Sequence, residues 1–318
     1  LISTICALGS FLACAESSTY QVELLVGRGE AYQEQGLLDE AAQSYHQALH
    51  IDPKLPKVLT KLGLVRLRQN RFSEAAQSFR KAVSLEGRTP AFYLDSGQKL
   101  HRSGKLEAVV PVYHKAIAAG PRNEAPYFYL TQLYFATEMF TEAIDVCTRA
   151  LEKFPSSVSA HSNLANAYAR LGQQSKAIAI YQKALAINPQ QPTVHYNLGL
   201  VYARRALDEE AEAYFRKAIE LGPKGQSKAH YHLALILHHR NQTSEAAGHL
   251  QRALELDSSY SEAHYKLGSI RKHQKRYTEA IYHLERSIET NPDQTQAYYA
   301  LGQAYLRSGK PDKAKVHL

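Results

Sequence analysis

The sequence predicts an all-α protein, an array of stacked helical hairpins with a 34-residue period. Three observations predict it: evenly spaced prolines, columns of small and large residues in register with them, and a composition short of strand formers. Pro53, Pro121, Pro155, Pro189, Pro223 and Pro292 stand 68, 34, 34, 34 and 69 residues apart, once or twice one spacing to within a residue. Ala, Leu, Gln, Lys and Glu dominate every segment, apolar residues recur at three and four, and β-branched runs are absent.

Counting in 34s from Val22, with one extra residue near Gly225, superimposes nine units starting at 22, 56, 90, 124, 158, 192, 227, 261 and 295. Position 8 reads Gly29, Gly63, Gly97, Thr131, Ala165, Gly199, Ala234, Gly268 and Gly302, and position 20 is Ala except at Val109. Position 24 is mostly large (Tyr45, Phe79, Tyr113, Cys147, Tyr181, Phe215, Leu250, Leu284), and position 27 is Ala in seven units and Ser287 in the eighth. Each unit therefore reads as helix, turn, helix. Small residues let the two helices approach, large ones interdigitate, and the proline at position 32 stops the second helix before the next begins. The ninth unit stops at Leu318 inside its second helix, and an apolar face cut there predicts that the natural chain continues.

These columns resemble the tetratricopeptide repeat (TPR), whose W-x2-L-G-x2-Y, A-x3-F and P signature has the same period. The resemblance covers residues 22–318, the last unit truncated, and implies a right-handed TPR solenoid of about nine helix-turn-helix units with a groove lined by the first helix of each. Arg28 and Ser96 replace the usual Leu, and Arg66 and Arg271 the usual Tyr. These are read as locally weaker units whose long arginine stems pack while the charged heads reach water. His161, His195, His230 and His264 share position 4, which makes them packing residues at the hairpin interface.

Charge is patchy. The net +8 divides unevenly: residues 22–55 carry two basic and six acidic side chains, residues 56–89 eight basic and two acidic, and residues 124–157 two basic and five acidic. No continuous basic stripe results, so nucleic acid is not an expected partner. Three cysteines rule out a disulfide framework, and Cys147, in a column of large apolar residues, is expected to be a buried, inert thiol. The His-rich HYHLALILHH (230–239) lacks a carboxylate on the same face, and no metal or cofactor is expected. GRGEAY (27–32) follows no strand, so it is not a dinucleotide loop, and nothing in the chain supplies catalysis.

The resemblance implies a groove at positions 2, 5, 6, 9, 12 and 13 of each first helix, three or four residues apart on one face. Position 5 carries Tyr196, Tyr231, Tyr265 and Tyr299; position 13 carries Arg68, Arg102, Arg170, Arg204, Arg307, His239 and His273, with Lys272 beside the last. Lys266 stands at position 6, where Asn163 and Asn197 resemble the asparagine ladder of the O-linked N-acetylglucosamine transferase repeats, as AHSNLA resembles its units. The carboxylate clamp of some family members is matched in part by Ser162, Asn166, Asn197, Lys228 and His232, with His232 able to charge near neutral pH. The expected ligand is a peptide, with acidic groups favoured, that stacks on the tyrosines and pairs with the cations. A cation in the last turn of a helix also gains about 0.3–1 kcal/mol from the helix dipole with no ligand at all.

Residues 1–21 form an apolar leader resembling the end of an export signal, and FLAC (11–14) resembles a lipoprotein box in which Cys14 takes the lipid. An exported protein, in a bacterial envelope or secreted, is the matching expectation, with membrane anchoring through Cys14; a cytoplasmic protein is the alternative. The predicted function is a non-enzymatic scaffold that holds a partner protein's extended segment in the groove. The alternative is the substrate-recognition arm of a larger enzyme, such as a glycosyltransferase, with its catalytic domain beyond Leu318.

Overall fold

The computed structural model describes residues 2–102, 106–222 and 226–317, the side chains of 2–17 and 106–107 lying outside the described set. Among the described residues there are α-helices and no strand, and the chain divides into two compact bodies, Leu1–Gly172 and Gln173–Leu318. The first comprises α1 (Ile2–Glu34), α2 (Leu38–Ile51), α3 (Pro56–Arg68), α4 (Phe72–Glu86), α5 (Pro90–Arg102), α6 (Leu106–Ala119), α7 (Ala125–Ala136), α8 (Phe140–Lys153) and α9 (Val158–Arg170). The second comprises α10 (Gln174–Ile187), α11 (Pro192–Arg204), α12 (Asp208–Leu221), α13 (Gln226–His239), α14 (Thr243–Leu256), α15 (Ser261–His273), α16 (Tyr277–Thr290), α17 (Thr295–Arg307) and α18 (Pro311–Ala314). The division falls between α9 and α10, the two helices that the 34-residue count places in one unit. Helix α1 crosses the border between residues 21 and 22, and Cys14 lies outside the described side chains. Among the described residues, no helix is long and apolar enough to cross a membrane.

In four hairpins the same contact recurs between the two helices. A Cβ built on the position-8 glycine would stand 2.6 Å from the Tyr45 ring at Gly29, 2.9 Å from Phe79 at Gly63, 2.5 Å from Tyr113 at Gly97 and 2.6 Å from Phe215 at Gly199. The missing side chain is the socket for the aromatic ring at position 24. At the bulkiest position-8 residue the partner is small: Thr131 faces Cys147 at 3.6 Å, and that thiol is buried, its pKa pushed up to about 12, chiefly by burial. The expected burial of this cysteine is what the structure contains. In the hairpin from 90, where Ser96 replaces Leu, α5 buries only Tyr93 and Gly97, and α4 packs on α6.

The turn inside each hairpin has its own register. Position 15 is left-handed at Gly36, Asn70, Glu138, Gly172, Ala206, Asn241, Lys275 and Gly309. The following amide reaches five residues back: Leu37 N–H donates to the Tyr32 carbonyl at 2.9 Å, Arg71 to Arg66 at 2.8 Å, Leu207 to Tyr202 at 3.1 Å and Arg276 to Arg271 at 2.9 Å. This 6→1 bond is the Schellman ending, which caps the first helix and sets the chain's reversal.

Successive hairpins are joined through position 4, which donates to the carbonyl at position 32 of the unit before. The Tyr127 hydroxyl reaches Pro121 at 3.2 Å, His195 Nε2 reaches Pro189 at 2.9 Å and His264 Nε2 reaches Ser258 at 3.2 Å. His161 instead places Nδ1 2.9 Å from the Ser157 carbonyl at the start of its own helix. The two arginines at position 11 correct the expectation that their heads reach water. Arg66 is 7% exposed, with its Nε 3.2 Å from Glu74 and an NH1 bond of 2.8 Å to Gln69; Arg271 repeats the set with Glu279 at 3.2 Å and Gln274 at 2.9 Å. The heads bend back to the hairpin's own carboxylate because a half-buried guanidinium is stabilised more by a fixed acceptor than by partial hydration.

Two measurements check this account. Gly199→Ala is expected to destabilise by about 1–3 kcal/mol in chemical denaturation, and adding Phe215→Leu to recover part of the loss, because the shorter side chain vacates the socket. Ala206→Gly is expected to stabilise by about 0.5–1 kcal/mol, because it removes the left-handed strain of a residue with a Cβ.

Candidate functional site

A helix that buries positions 4, 7 and 8 against its hairpin partner must turn positions 5, 6, 9, 12 and 13 away from it. In the second body this puts Tyr196, Tyr231, Tyr265 and Tyr299 on the outward faces of α11, α13, α15 and α17, the first three half-buried and Tyr299 60% exposed. The tyrosines lean on one another's neighbours. Tyr196 lies 5.9 Å from the Phe215 ring and 5.8 Å from His232; Tyr231 lies 5.2 Å from His232 and 4.9 Å from Tyr260. Tyr260 was not among the predicted residues. It precedes α15 at the last position of its unit, outside every groove column, and only the packing of α13 against that loop reveals it.

His232 corrects an expectation. Its ring stacks on Phe215 at 5.7 Å and 17°, and burial, followed by Lys228 and then Arg204, lowers its pKa to about 4. It is therefore neutral at physiological pH and acts as a packing aromatic, not as a charge near neutrality. Asn197 also has a structural task, hydrogen-bonding the buried Tyr181 hydroxyl. The partial clamp set is divided: Ser162 and Asn166 stand on α9 of the first body, and Asn197, Lys228 and His232 on α11 and α13 of the second. Asn163 and Arg170 also belong to α9. Asn163 is half-buried, and Arg170 lies 3.4 Å from Glu138 and 4.7 Å over the Phe140 ring.

The cations of the second body differ in how far they are already engaged. Arg204 is exposed with no hydrogen bond or ion pair among the described residues, whereas His239 sits 2.6 Å from Asp208. Lys266 Nζ lies 5.6 Å from the centre of the Tyr265 ring. Lys272 lines a concavity of about 430 Å³ with Tyr265, Ser269 and Tyr299; its Nζ donates to Gln303 at 2.6 Å, and burial lowers its pKa. It is a partly desolvated ammonium whose partner is an amide. Gln303 lies at position 9 of α17, a groove column, and its identity as the partner was not predicted. In the first body, a concavity of about 210 Å³ is lined by Arg80, Arg149 and Lys153. There Asp145 holds Arg149 at 3.3 Å and Glu152 sits among the cations, so the charges nearly cancel. Among the described residues no group of three or more His, Cys, Asp or Glu could hold a metal ion.

Comparison with known proteins agrees with the geometry. Sequence profiles described as TPR repeat match residues 29–70, 166–205 and 268–309, and profiles described as Tetratricopeptide repeat match 60–124, 146–179 and 192–224. No curated protein matches the chain. Among solved structures, Pseudomonas aeruginosa PilF is 20% identical with a TM-score of 0.58, over 62% of this chain and 90% of that one. A tetratricopeptide repeat protein from Parabacteroides merdae is 19% identical with a TM-score of 0.55, over 72% and 90%. A chain of the APC/C hetero-tetramer Cut9–Hcn1 is 15% identical with a TM-score of 0.55, over 93% and 72%. At such identities the likeness is one of fold. The register of repeats, the hairpins that realise it and the profiles spread along most of the chain lead to one conclusion: this chain belongs to the tetratricopeptide repeat family.

Proposed function

We propose that the chain is a non-enzymatic scaffold whose second body holds an extended acidic segment of a partner protein along α11, α13, α15 and α17. The observation that carries this reading is Lys272, a partly desolvated ammonium that lines a concavity with Tyr265 and Tyr299 and whose hydrogen-bond partner among the described residues is the Gln303 amide. An incoming carboxylate would supply the countercharge that this site lacks. The surrounding composition supports it. At the groove positions of these four helices stand Arg204, Lys228, Lys266, Lys272 and Arg307 against Glu262, five cations to one acid and hence a net +4. The same positions of the first body mix Glu23, Glu30, Glu34 and Asp95 with Lys57, Lys61, Arg68, Arg102 and Arg170, a net +1 from five cations and four acids. The tyrosines add rigid amphipathic surface with few rotors, which lowers the entropy cost of contact.

An array of acidic and neutral peptides, followed by fluorescence anisotropy on those retained, tests the reading. Tyr231→Ala and Lys272→Met are each expected to weaken acidic peptides about tenfold, and Arg204→Ala to lower the on-rate and the salt dependence. If all three variants bind every peptide as the parent does, this face is not the site. Raising ionic strength from about 0.05 to 0.5 M is expected to weaken acidic peptides and leave neutral ones unchanged. Because His232 stays neutral down to about 4, His232→Gln is expected to leave the pH profile of binding between about pH 8 and 6 unaltered.

A further inference from the structure

We infer that two hairpins of the second body are each held by a facing pair of histidines that shares a single proton, and that acid releases these pairs. His230 of α13 meets His249 of α14 with their Nδ1 atoms 2.8 Å apart, and His264 of α15 meets His283 of α16 with Nδ1 atoms 3.0 Å apart. Both pairs occupy positions 4 and 23 of their units, so the arrangement occurs twice in succession. In the hairpin before them His195 faces Tyr214, ring centres 5.9 Å apart, and no second imidazole is present.

Two facing imidazoles invite a metal ion, and the geometry argues against one. The ring centres are 5.0 and 5.2 Å apart, farther than the nitrogens by about one ring width, so the two Nδ1 axes point at each other. A metal held by both nitrogens at this separation needs axes that converge to one side, and a linear metal needs nitrogens two bond lengths apart, roughly 4 Å. A proton fits between opposed lone pairs. In the second pair its placement follows from the backbone: His264 Nε2–H donates to the Ser258 carbonyl at 3.2 Å, leaving Nδ1 as the acceptor for Nδ1–H of His283.

The charged groups around the pairs determine what a further proton meets. The first pair faces Arg216 and Glu212 of α12 and Glu245, Arg252 and Glu255 of α14; the second faces Arg271 of α15 and Glu279, Arg286 and Glu289 of α16. Glu279 is bound to Arg271, and Glu245, 3.9 Å from His249 Nε2, is shared with Arg216 at 2.7 Å, so the attraction it offers an imidazolium is offset by the neighbouring guanidinium and outweighed by burial. Burial, the largest cause in all four, holds the histidines below their usual range, His230 and His283 at about 4. A histidine with a folded-state value below its unfolded value of about 6.5 leaves the opened hairpin binding more protons. Its contribution to stability is complete above that unfolded value and is lost as the pH falls toward 4. A second added proton would set two N–H groups face to face. Tyr231 and Tyr265 follow His230 and His264 directly in the chain, so acid opening would also disorder the tyrosine face. This last consequence rests on the peptide-face reading; the titration does not.

Imidazole ¹H–¹⁵N spectra of the full chain, titrated from about pH 8 to 4.5, test the inference. His264 is expected as the Nε2–H tautomer and His283 as the Nδ1–H tautomer at pH 8, with His230 and His283 titrating near 4 and His249 and His264 below the ordinary imidazole range. Amide-exchange protection over residues 227–294, corrected for intrinsic rates, is expected to fall about 10- to 30-fold between pH 7.5 and 5, while residues 174–221 change less than about threefold. The double variant His249→Gln with His283→Gln is expected to flatten that loss. Ordinary titration near 6.5, matching tautomers in the second pair, or an undiminished acid loss in the variant would overturn the inference. Should the variant not fold, the parent's titration decides alone.

Discussion

Everything in this molecule depends on how closely two helices approach within a hairpin. At Gly29, Gly63, Gly97 and Gly199 the absence of a single carbon makes room for a ring from the opposite helix. Because that ring fills the socket, the first helix is fixed in rotation as well as in distance. Rotation then assigns each remaining position its surroundings: position 4 toward the loop of the preceding unit, positions 11 and 23 toward the hairpin's own second helix or its partner, positions 5, 9 and 13 outward. A helix loosened at position 8 would lose the contact and also the assignment of every other face.

One consequence is that neighbouring residues do opposite work. His230 and Tyr231, or His264 and Tyr265, differ by one step in the chain and by about 100° around the helix. The histidine is enclosed among imidazole, backbone carbonyl and guanidinium groups, and the tyrosine faces outward beside lysines. Stability and recognition thus share the same helices. The proposed peptide face is only as firm as the proton-sharing contacts behind it.

Much of the fold was legible because its information is one-dimensional: a period, a small column and a large column suffice to imply a stacked hairpin. The left-handed turn column is not legible in the sequence even though it lies in the same register. Gly36, Asn70, Glu138, Ala206 and Lys275 share a backbone conformation without sharing chemistry, so a search for one residue type passes over them. The tyrosine ladder was legible from spacing. Its supports were not, since Tyr260 and Gln303 enter through the packing of separate helices, and the engagement of Asn197 with Tyr181 requires contact between α11 and α10.

Protonation and charge needed the tertiary structure most. Arg66 and Arg271 read as snorkelling side chains in the sequence, and His232 as a neutral-pH switch, because a sequence shows which groups can ionise but not how much water they keep. Enclosure by Phe215 and two nearby cations holds His232 neutral, and a glutamate from the adjoining helix holds each arginine. The amino-acid sequence by itself determined that this chain forms helical hairpins at a fixed period, because side-chain volume and periodicity are local properties of the chain. Only the tertiary structure decided which polar groups are sealed by neighbours and which remain for a partner, because desolvation depends on atoms brought together from distant parts of the chain.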